Sequence, residues 1–330
     1  MAVPLHYLMT AEELGLLTRQ TATTVLQAFP TDERVTLFPG TVALAPHAVR
    51  RYLEARGVSY APRIIAHINL KGGTGKTTSV ISAATRAIQY GFKTCIIDMD
   101  SQASASLAFD ILLDNDDPIF CDVWQRPHDM VMDALHQIDD PLWILPSSLE
   151  NGLLDVQLMN PASQKHAVRG VCEELRHHDI DLILLDCPPS LGTAVISTIC
   201  AADTIVIPVC GDAFSRKGLE LTIQEIASIC DTFSLPPPVI RILYTKYDKR
   251  LRLSGQAFEQ LRDSYPDRMI PTPIRTSSEF SKALERSATV FASTKKNHAR
   301  KDYDAYVRNL LALDPALQGR GALTKGDPHV

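Results

Sequence analysis

Three stretches of the chain carry side chains whose types and spacing could do chemistry. The first is INLKGGTGKTTSVISAATRAI, Ile68 to Ile88. It approaches the phosphate-loop pattern G-x-x-x-x-G-K-[ST], but Leu70 stands where the first glycine belongs and an additional lysine, Lys71, follows at once. Gly72, Gly73 and Gly75 let backbone N–H groups turn inward toward oxygens, and a helix starting just after them adds partial positive charge. The run Gly72, Gly73, Thr74, Gly75, Lys76, Thr77 and Thr78 is therefore the expected phosphate cradle. Lys76 is placed to reach β- and γ-phosphates, and the Thr77 hydroxyl to ligate Mg2+. The second stretch, TCIIDMD (Thr94 to Asp100), ends in the carboxylates of Asp98 and Asp100; the third, IDLILLDCPP (Ile180 to Pro189), carries Asp186. An acid at a strand end can also cap a helix. Three such ends converging on one sheet edge favour a shared site, with Asp186 holding the metal through water.

These groups need a scaffold that brings strand ends together. RIIAHINL (Arg63 to Leu70) is an isoleucine-rich apolar run that reads as a buried strand, and Val80, Ala83, Ala84, Ala87 and Ile88 recur at helical spacing after the loop. Further strands are expected at Leu142–Pro146, Thr204–Val209 and Val239–Thr245, alternating with helices such as RKGLELTIQEIASICDTF. This rhythm predicts a doubly wound, mostly parallel α/β sheet. The prolines at 236–238 stop that helix before the next strand.

The motifs resemble those of the ParA/MinD superfamily. KGGTGKTT is similar to its deviant Walker A motif, DMDSQAS to its D-x-D-P-Q-G-N segment and LLDCPPSLG to its Walker B stretch; PVCGDAFSRKGLELT and IPTPIRTSSEFSKALERSATVF extend the likeness over about residues 61–313. Ser101 replaces a usual proline, and Asp212 stands near the place of a common glutamate. The resemblance implies a P-loop NTPase that uses ATP and Mg2+, hydrolyses slowly and forms a homodimer around two nucleotides. Lys71 would then reach the partner's phosphates, Lys76 would serve its own, and Asp100 would orient the attacking water. It also implies nonspecific DNA binding on the nucleoid and a ParB-like centromere-binding or cargo adaptor protein that stimulates turnover. Segments such as YDKRLRLS and PIRTSS match family segments that carry DNA-binding arginines. The expected contacts are Arg250, Arg252, Arg275, Lys295 and Lys296, followed by Arg300 and Lys301.

Composition agrees with this reading. The chain has 330 residues, 45% of them hydrophobic, enough for a large core. It has no apolar run near the roughly 18 to 20 residues of a membrane span, and no signal peptide or C-x-x-C pair, so a reducing cytoplasm is expected. Cys187, beside Asp186, reads as a small buried hydrophobe. Charge is polarised: residues 241–301 hold 14 Lys/Arg and 6 Asp/Glu, whereas 61–240 hold 11 and 23. Such clustering suits a phosphate-backbone partner. The tail has no basic amphipathic helix of the kind that lies on a membrane.

Residues 1–60 form a separate expectation. Thr10-x-x-Glu13 is a capping-box signature, followed by a helix break at Gly15 and a second helix after Thr18; RVTLFPGTVAL reads as two strands about a Pro39-Gly40 turn, and PHAVRRYLEARG as a helix. A small N-terminal winged helix-turn-helix fits this order. Five arginines against five acids leave two uses open: reading an operator, or serving as a dimerisation or partner-docking module. The expected organisation is thus 1–60 helix-turn-helix-like, 61–313 ATPase and a disordered 314–330 tail.

Overall fold

The structure, a computed structural model, describes residues 7–114, 116–211, 215–292 and 296–314. Asp212, Lys295 and all but the first residue of the expected tail lie outside them. The main sheet has seven strands: β4 (Arg63–His67), β5 (Thr94–Asp98), β6 (His136–Asp139), β7 (Leu142–Leu145), β8 (Leu182–Asp186), β9 (Thr204–Cys210) and β10 (Val239–Thr245). Their order is β10-β9-β4-β8-β5-β7-β6, parallel throughout except for β6 at one edge. The central strands β4, β5 and β8 are buried almost end to end, as expected when helices cover both faces of a parallel sheet. β4 pairs with β8 on one side and β9 on the other, so the chain winds outward in both directions from it. That strand leads directly into the glycine loop, which places the loop at the switch point, outside the carboxyl ends.

The N-terminal residues fold as a three-stranded sheet of β1 (Met9–Thr10), β3 (Thr41–Leu44) and β2 (Arg34–Leu37), in that order, with helices α1 (Ala11–Thr18), α2 (Ala22–Gln27) and α3 (Pro46–Glu54). Thr10 and Glu13 cap α1 reciprocally. The expected break at Gly15 is a correction: α1 runs through Gly15 to Thr18, and the chain turns at Arg19 in the left-handed conformation before Thr21 caps α2. A single helical glycine costs only about 1 kcal/mol, which packing of Leu14 and Leu17 on either side readily offsets.

This unit packs against the helix that follows the glycine loop, α4 (Lys76–Gln89). Leu14, Val25, Val49 and Leu53 belong to one continuous core with Val80, Ala84 and Ile88 of α4 and Tyr303 and Tyr306 of the C-terminal helix His298–Leu310. Its polar residues Ser82, Thr85, Arg86 and Gln89 are buried too, so α4 is covered all round and its periodicity conveys only part of its burial. The turn after α4 depends on Gly91, at φ 87°: a Cβ there would stand 2.5 Å from that of Arg50 on α3. Arg50 spans onward to the Asp181 carboxylate just before β8.

Arg86 ties these parts together. Its guanidinium is buried, with Nε donating to Asp304 Oδ1 of the C-terminal helix at 2.7 Å, Nη1 to Gln89 at 2.6 Å, and Nη1 lying 3.4 Å from Glu13 of α1. Arg300, which the sequence reading placed among the weaker DNA contacts, is buried in the same network and donates to Glu13 at 2.6 Å. It is structural, not a surface cation.

Burial alone would raise the Glu13 pKa, but Arg86 and Arg300 outweigh it and hold the carboxyl at about 2, against an ordinary 4.5. A depressed carboxylate stabilises the fold above its unfolded pKa, and that contribution disappears as pH falls through the folded value. Glu13→Gln is therefore expected to lower stability by about 2–3 kcal/mol near neutral pH, slightly under the range for a fully buried pair because Glu13 is partly exposed. In urea unfolding the difference from the unmodified protein should shrink between pH 4.5 and 2; a difference independent of pH would assign it to packing.

Candidate phosphate and metal site

The glycine loop is held open by its own backbone and by two strands beyond it. Asn69 donates from Nδ2 to the Pro208 carbonyl at 2.6 Å and accepts the Lys71 N–H at 2.8 Å. Gly73 and Gly75 take φ of 68° and 91°, the region that favours glycine, and Lys76 begins α4. Thr74 is buried and its carbonyl accepts the Thr245 hydroxyl at 2.7 Å, which ties the loop floor to the end of β10. Gly72 is exposed, Thr77 and Thr78 are half-buried on the first turn of α4, and Lys71 is exposed at the loop's outer edge. Lys76 folds back over the loop, its Nζ 3.2 Å from the Asn69 carbonyl and 3.4 Å from that of Lys71. These carbonyls hold the ammonium over the loop. Burial lowers the Lys76 pKa, while Asp186, Cys187 and Asp100 pull the other way.

The two central acids stand side by side, because Asp98 and Asp186 are register partners on β5 and β8. Their environments differ sharply. Asp98 is saturated: Oδ2 accepts the N–H and hydroxyl of Ser106 at 2.9 and 2.8 Å, and Oδ1 the N–H of Asp100 at 3.2 Å. Burial still raises its pKa to about 6. Asp186 is fully buried and neither carboxylate oxygen has a hydrogen-bond partner of good geometry among the described residues. Burial and the Asp98 charge push its pKa well up; the Thr77 hydroxyl and Lys76 work against them. A buried carboxylate left without partners is costly unless a cation completes it. Asp186 and the Thr77 hydroxyl are hard oxygen donors of the type Mg2+ takes, usually one or two per site beside substrate phosphates. Among the described residues no group of three or more His, Cys, Asp or Glu could hold a metal ion unaided. Asp100, two residues past the end of β5, is half-buried, with Oδ1 accepting the Gln102 N–H at 3.0 Å. Burial drives the Cys187 thiol pKa up, which makes it an inert packing group.

Lys246 escaped the sequence reading. It follows β10 at the same carboxyl edge, at φ 54°, and its Nζ lies 4.0 Å from where a Gly73 Cβ would be. The strand-end argument that singled out the aspartates applies to it equally.

The expected DNA-contact residues divide. Arg250, Arg275 and His298 line a cavity of about 340 Å³ with Lys249 and Tyr247. Arg252 is exposed at the start of helix Arg252–Ser264, and Lys301 is exposed on the C-terminal helix. Arg250 is exposed but paired with Asp248 at 2.7 Å, and Lys296 reaches Glu12 at 2.6 Å. Arg275 is partly exposed at the cavity, and its Nε and Nη2 clamp the buried Asp302 carboxylate at 2.8 and 2.6 Å, which ties it to the C-terminal helix.

A strand, a glycine loop with two lysines, a helix and an orphaned aspartate on the adjacent strand define a P-loop nucleotide-binding protein. Residues 62–235 match the AAA domain family, and the chain belongs to it, as a ParA-type P-loop ATPase. It is 27% identical over 261 residues to the cell division protein PomZ of Myxococcus xanthus (78% of this chain, 81% of that protein), and 26% identical over 262 residues to the chromosome partitioning protein ParA of the same organism (78% and 91%). The apo structure of McdA from Cyanothece superposes with a TM-score of 0.66 at 19% identity, covering 76% of this chain and 99% of that one. Among the described residues no helix is long and apolar enough to cross a membrane.

If Asp186 is a strained carboxylate awaiting a cation, Asp186→Asn should raise the melting temperature of the ligand-free protein, by an amount equivalent to about 1–3 kcal/mol. The same variant should lose the stabilisation that Mg2+ with nucleotide confers. A ligand-free melting temperature below that of the unmodified protein would contradict this account of the site.

Proposed function

We propose that the chain is a slow, Mg2+-dependent ATPase that closes as a dimer around two ATP molecules, binds DNA without sequence preference, and moves a DNA cargo with the help of a partner that stimulates hydrolysis. The observation that carries this reading is the buried Asp186, left among the described residues without a hydrogen bond of good geometry, beside the glycine loop, Thr77 and Lys76. In it, Gly72–Thr78 would bind the phosphates through backbone N–H groups, and Lys76 would leave the carbonyls of Asn69 and Lys71 for phosphate oxygens. Thr77 and, through water, Asp186 would hold Mg2+, whose bound charge offsets the phosphate oxygens. Asp100, outside the saturated Asp98, would orient the attacking water. Lys71, at the exposed rim, would serve the neighbouring chain's nucleotide. Phosphoryl transfer needs little beyond such positioning and charge stabilisation. McdA, whose fold this chain shares, is also known as an ATP complex.

The leading role is segregation of plasmid or chromosomal DNA with a ParB-like centromere-binding partner on the nucleoid. A second reading, positioning of a protein cargo such as a microcompartment or chemoreceptor array, is kept because the chain resembles a cell division protein, PomZ, about as much as it resembles the partitioning protein ParA. Partners recovered with the ATP-bound protein distinguish the two: a DNA-bound adaptor for the first, a cargo protein for the second. The N-terminal unit, expected to read an operator or to serve as a dimerisation or partner-docking module, shares its core with α4, and its balanced charge favours the second use over the first.

The two lysines give the direct test. Lys76→Ala should lose nucleotide binding and dimer formation together, whereas Lys71→Ala should keep measurable ATP binding but lose closure and turnover. Equal turnover in Lys71→Ala and the unmodified protein would remove the role in trans. Asp100→Ala should retain ATP and lengthen residence on DNA while slowing hydrolysis; loss of ATP affinity would place Asp100 at the metal instead.

For DNA, Arg252→Glu in the full chain is preferable to a change at Arg275, where a carboxylate would face Asp302. ATP-dependent binding to unrelated sequences should weaken uniformly, with a salt dependence shallower by about one phosphate contact per chain. Binding confined to one particular sequence would instead make the N-terminal unit the DNA reader.

A further inference from the structure

A second feature lies after β7, outside the phosphate site. A 3-10 turn, Leu149–Leu153, runs straight into helix Leu154–Gln157. This stretch buries Asn151, Leu154 and Leu158 but leaves Leu149, Leu153, Val156 and Met159 exposed at 77, 54, 67 and 69%. Steps of four and three residues keep Leu149, Leu153 and Val156 within about a third of the helix circumference, and Met159 follows just past the helix end. Scattered exposed leucines need no explanation, but a line of four large apolar side chains does.

The ground around the line is acidic. Residues 101–160 hold eleven Asp and Glu against one arginine, Arg126. Glu150 is on the stretch itself, and Asp122 is on the neighbouring helix Phe120–Val123, both exposed. That helix is fastened to the stretch by the Cys121 N–H to Asn151 Oδ1 at 3.2 Å and by Trp124 Nε1 to Gln157 Oε1 at 2.9 Å.

The stretch also touches the loop that leaves Asp186. Asp155 Oδ1 accepts the N–H and hydroxyl of Thr193 at 2.8 and 3.0 Å, and the carboxylate fills the space a Cβ on Gly192 would need. Whatever sits on Val156 and Leu153 therefore bears on the segment that connects the metal-site aspartate to helix Thr193–Ala201.

We propose that the line Leu149, Leu153, Val156, Met159 is the docking site for a basic amphipathic helix of the partner that stimulates hydrolysis. The partner's apolar side covers the line, and its lysines or arginines meet Glu150 and Asp122. Charge selects this occupant over a second copy of the chain, since a two-fold self-contact here would set two acidic surfaces against each other. The inference rests on the reading of the protein as a partner-stimulated ATPase, and basal ATP turnover separates failure of the one from failure of the other.

The test uses the full chain and a fluorescent synthetic helical peptide of about 18 residues, with leucines on one face and lysines on the other, beside a counterpart in which glutamate replaces lysine. Anisotropy should register binding of the lysine peptide alone. The Leu149→Ser/Leu153→Ser double variant should weaken it by about tenfold or more. Glu150→Lys should weaken it and flatten its salt dependence. Both variants should keep their melting temperature, basal turnover and ATP-dependent self-association, because the altered groups are exposed. Unchanged peptide affinity in the double variant would overturn the proposal, and loss of self-association would reassign the line to a second copy of the chain. Absence of basal turnover in the unmodified protein would count against the ATPase reading, while the peptide titration would still decide the docking surface.

Discussion

The buried guanidinium of Arg86 is the constraint on which the arrangement of the molecule depends. It sits on the helix that starts at the phosphate loop, and its charge is shared between Asp304 of the C-terminal helix and Glu13 of the N-terminal unit. A charge buried this deeply is tolerable only if every partner stays in place. The N-terminal unit, α4 and the C-terminal helix are therefore held as one body. Two further contacts reinforce it: Tyr303 meets Ser79 at 3.1 Å, and Tyr306 meets His67 at 2.7 Å, immediately before the glycine loop. Burial keeps His67 neutral, lowering its pKa to about 3, so this contact does not titrate near physiological pH. The phosphate loop thus springs from a strand and a helix that cannot move independently.

Rigidity there allows the opposite condition at the site itself. Asp98 and Asp186 occupy equivalent rungs of neighbouring strands, yet one is saturated with donors and the other, among the described residues, has no hydrogen bond of good geometry and only the Thr77 hydroxyl near it. Two adjacent carboxylates would both be expensive in a dry sheet edge. Ser106 and the Asp100 N–H relieve Asp98, which concentrates the unsatisfied charge on the residue beside Thr77 and Lys76. Stability is spent at this point, where a cation would recover it.

Local grammar made much of this legible. Glycines, lysines and threonines within eight residues specify a phosphate loop, and apolar runs ending in aspartate specify strand ends. What the sequence hid depends on contacts between distant positions. Asp98 and Asp100 look alike in TCIIDMD, and only Ser106 folding back distinguishes them. Arg275 and Arg300 read as surface cations in a basic segment, but their partners, Asp302 and Glu13, lie 27 and 287 residues away. The polar side of α4 gives no hint of burial, because the elements that cover it come from the two ends of the chain. The turn at Arg19 was missed for a different reason: a lone glycine upstream drew the boundary to itself.

Engagement of Arg275 and Arg300 also limits how tightly one chain could hold a polyanion. Among the described residues of the basic segment, Lys246, Lys249, Arg250, Arg252, Arg262, Arg268, Lys282, Arg286, Lys296 and Lys301 remain exposed, and Lys249 and Arg250 line the cavity. Each phosphate neutralised on duplex DNA contributes about −0.9 to the slope of log affinity against log salt, so four such contacts on one chain would give about −3.6 and on a pair about −7. Over a fourfold rise in salt those slopes correspond to losses of roughly 10² and 10⁴ in affinity. Under the proposed DNA-binding role, a given set of contacts on one chain would make a weak attachment, and coupling two chains would make a steep, reversible one. The ion pairs that hold the C-terminal helix would then bear on that role too: Arg300 is buried against Glu13, and Arg275, though still partly exposed at the cavity, is committed to Asp302.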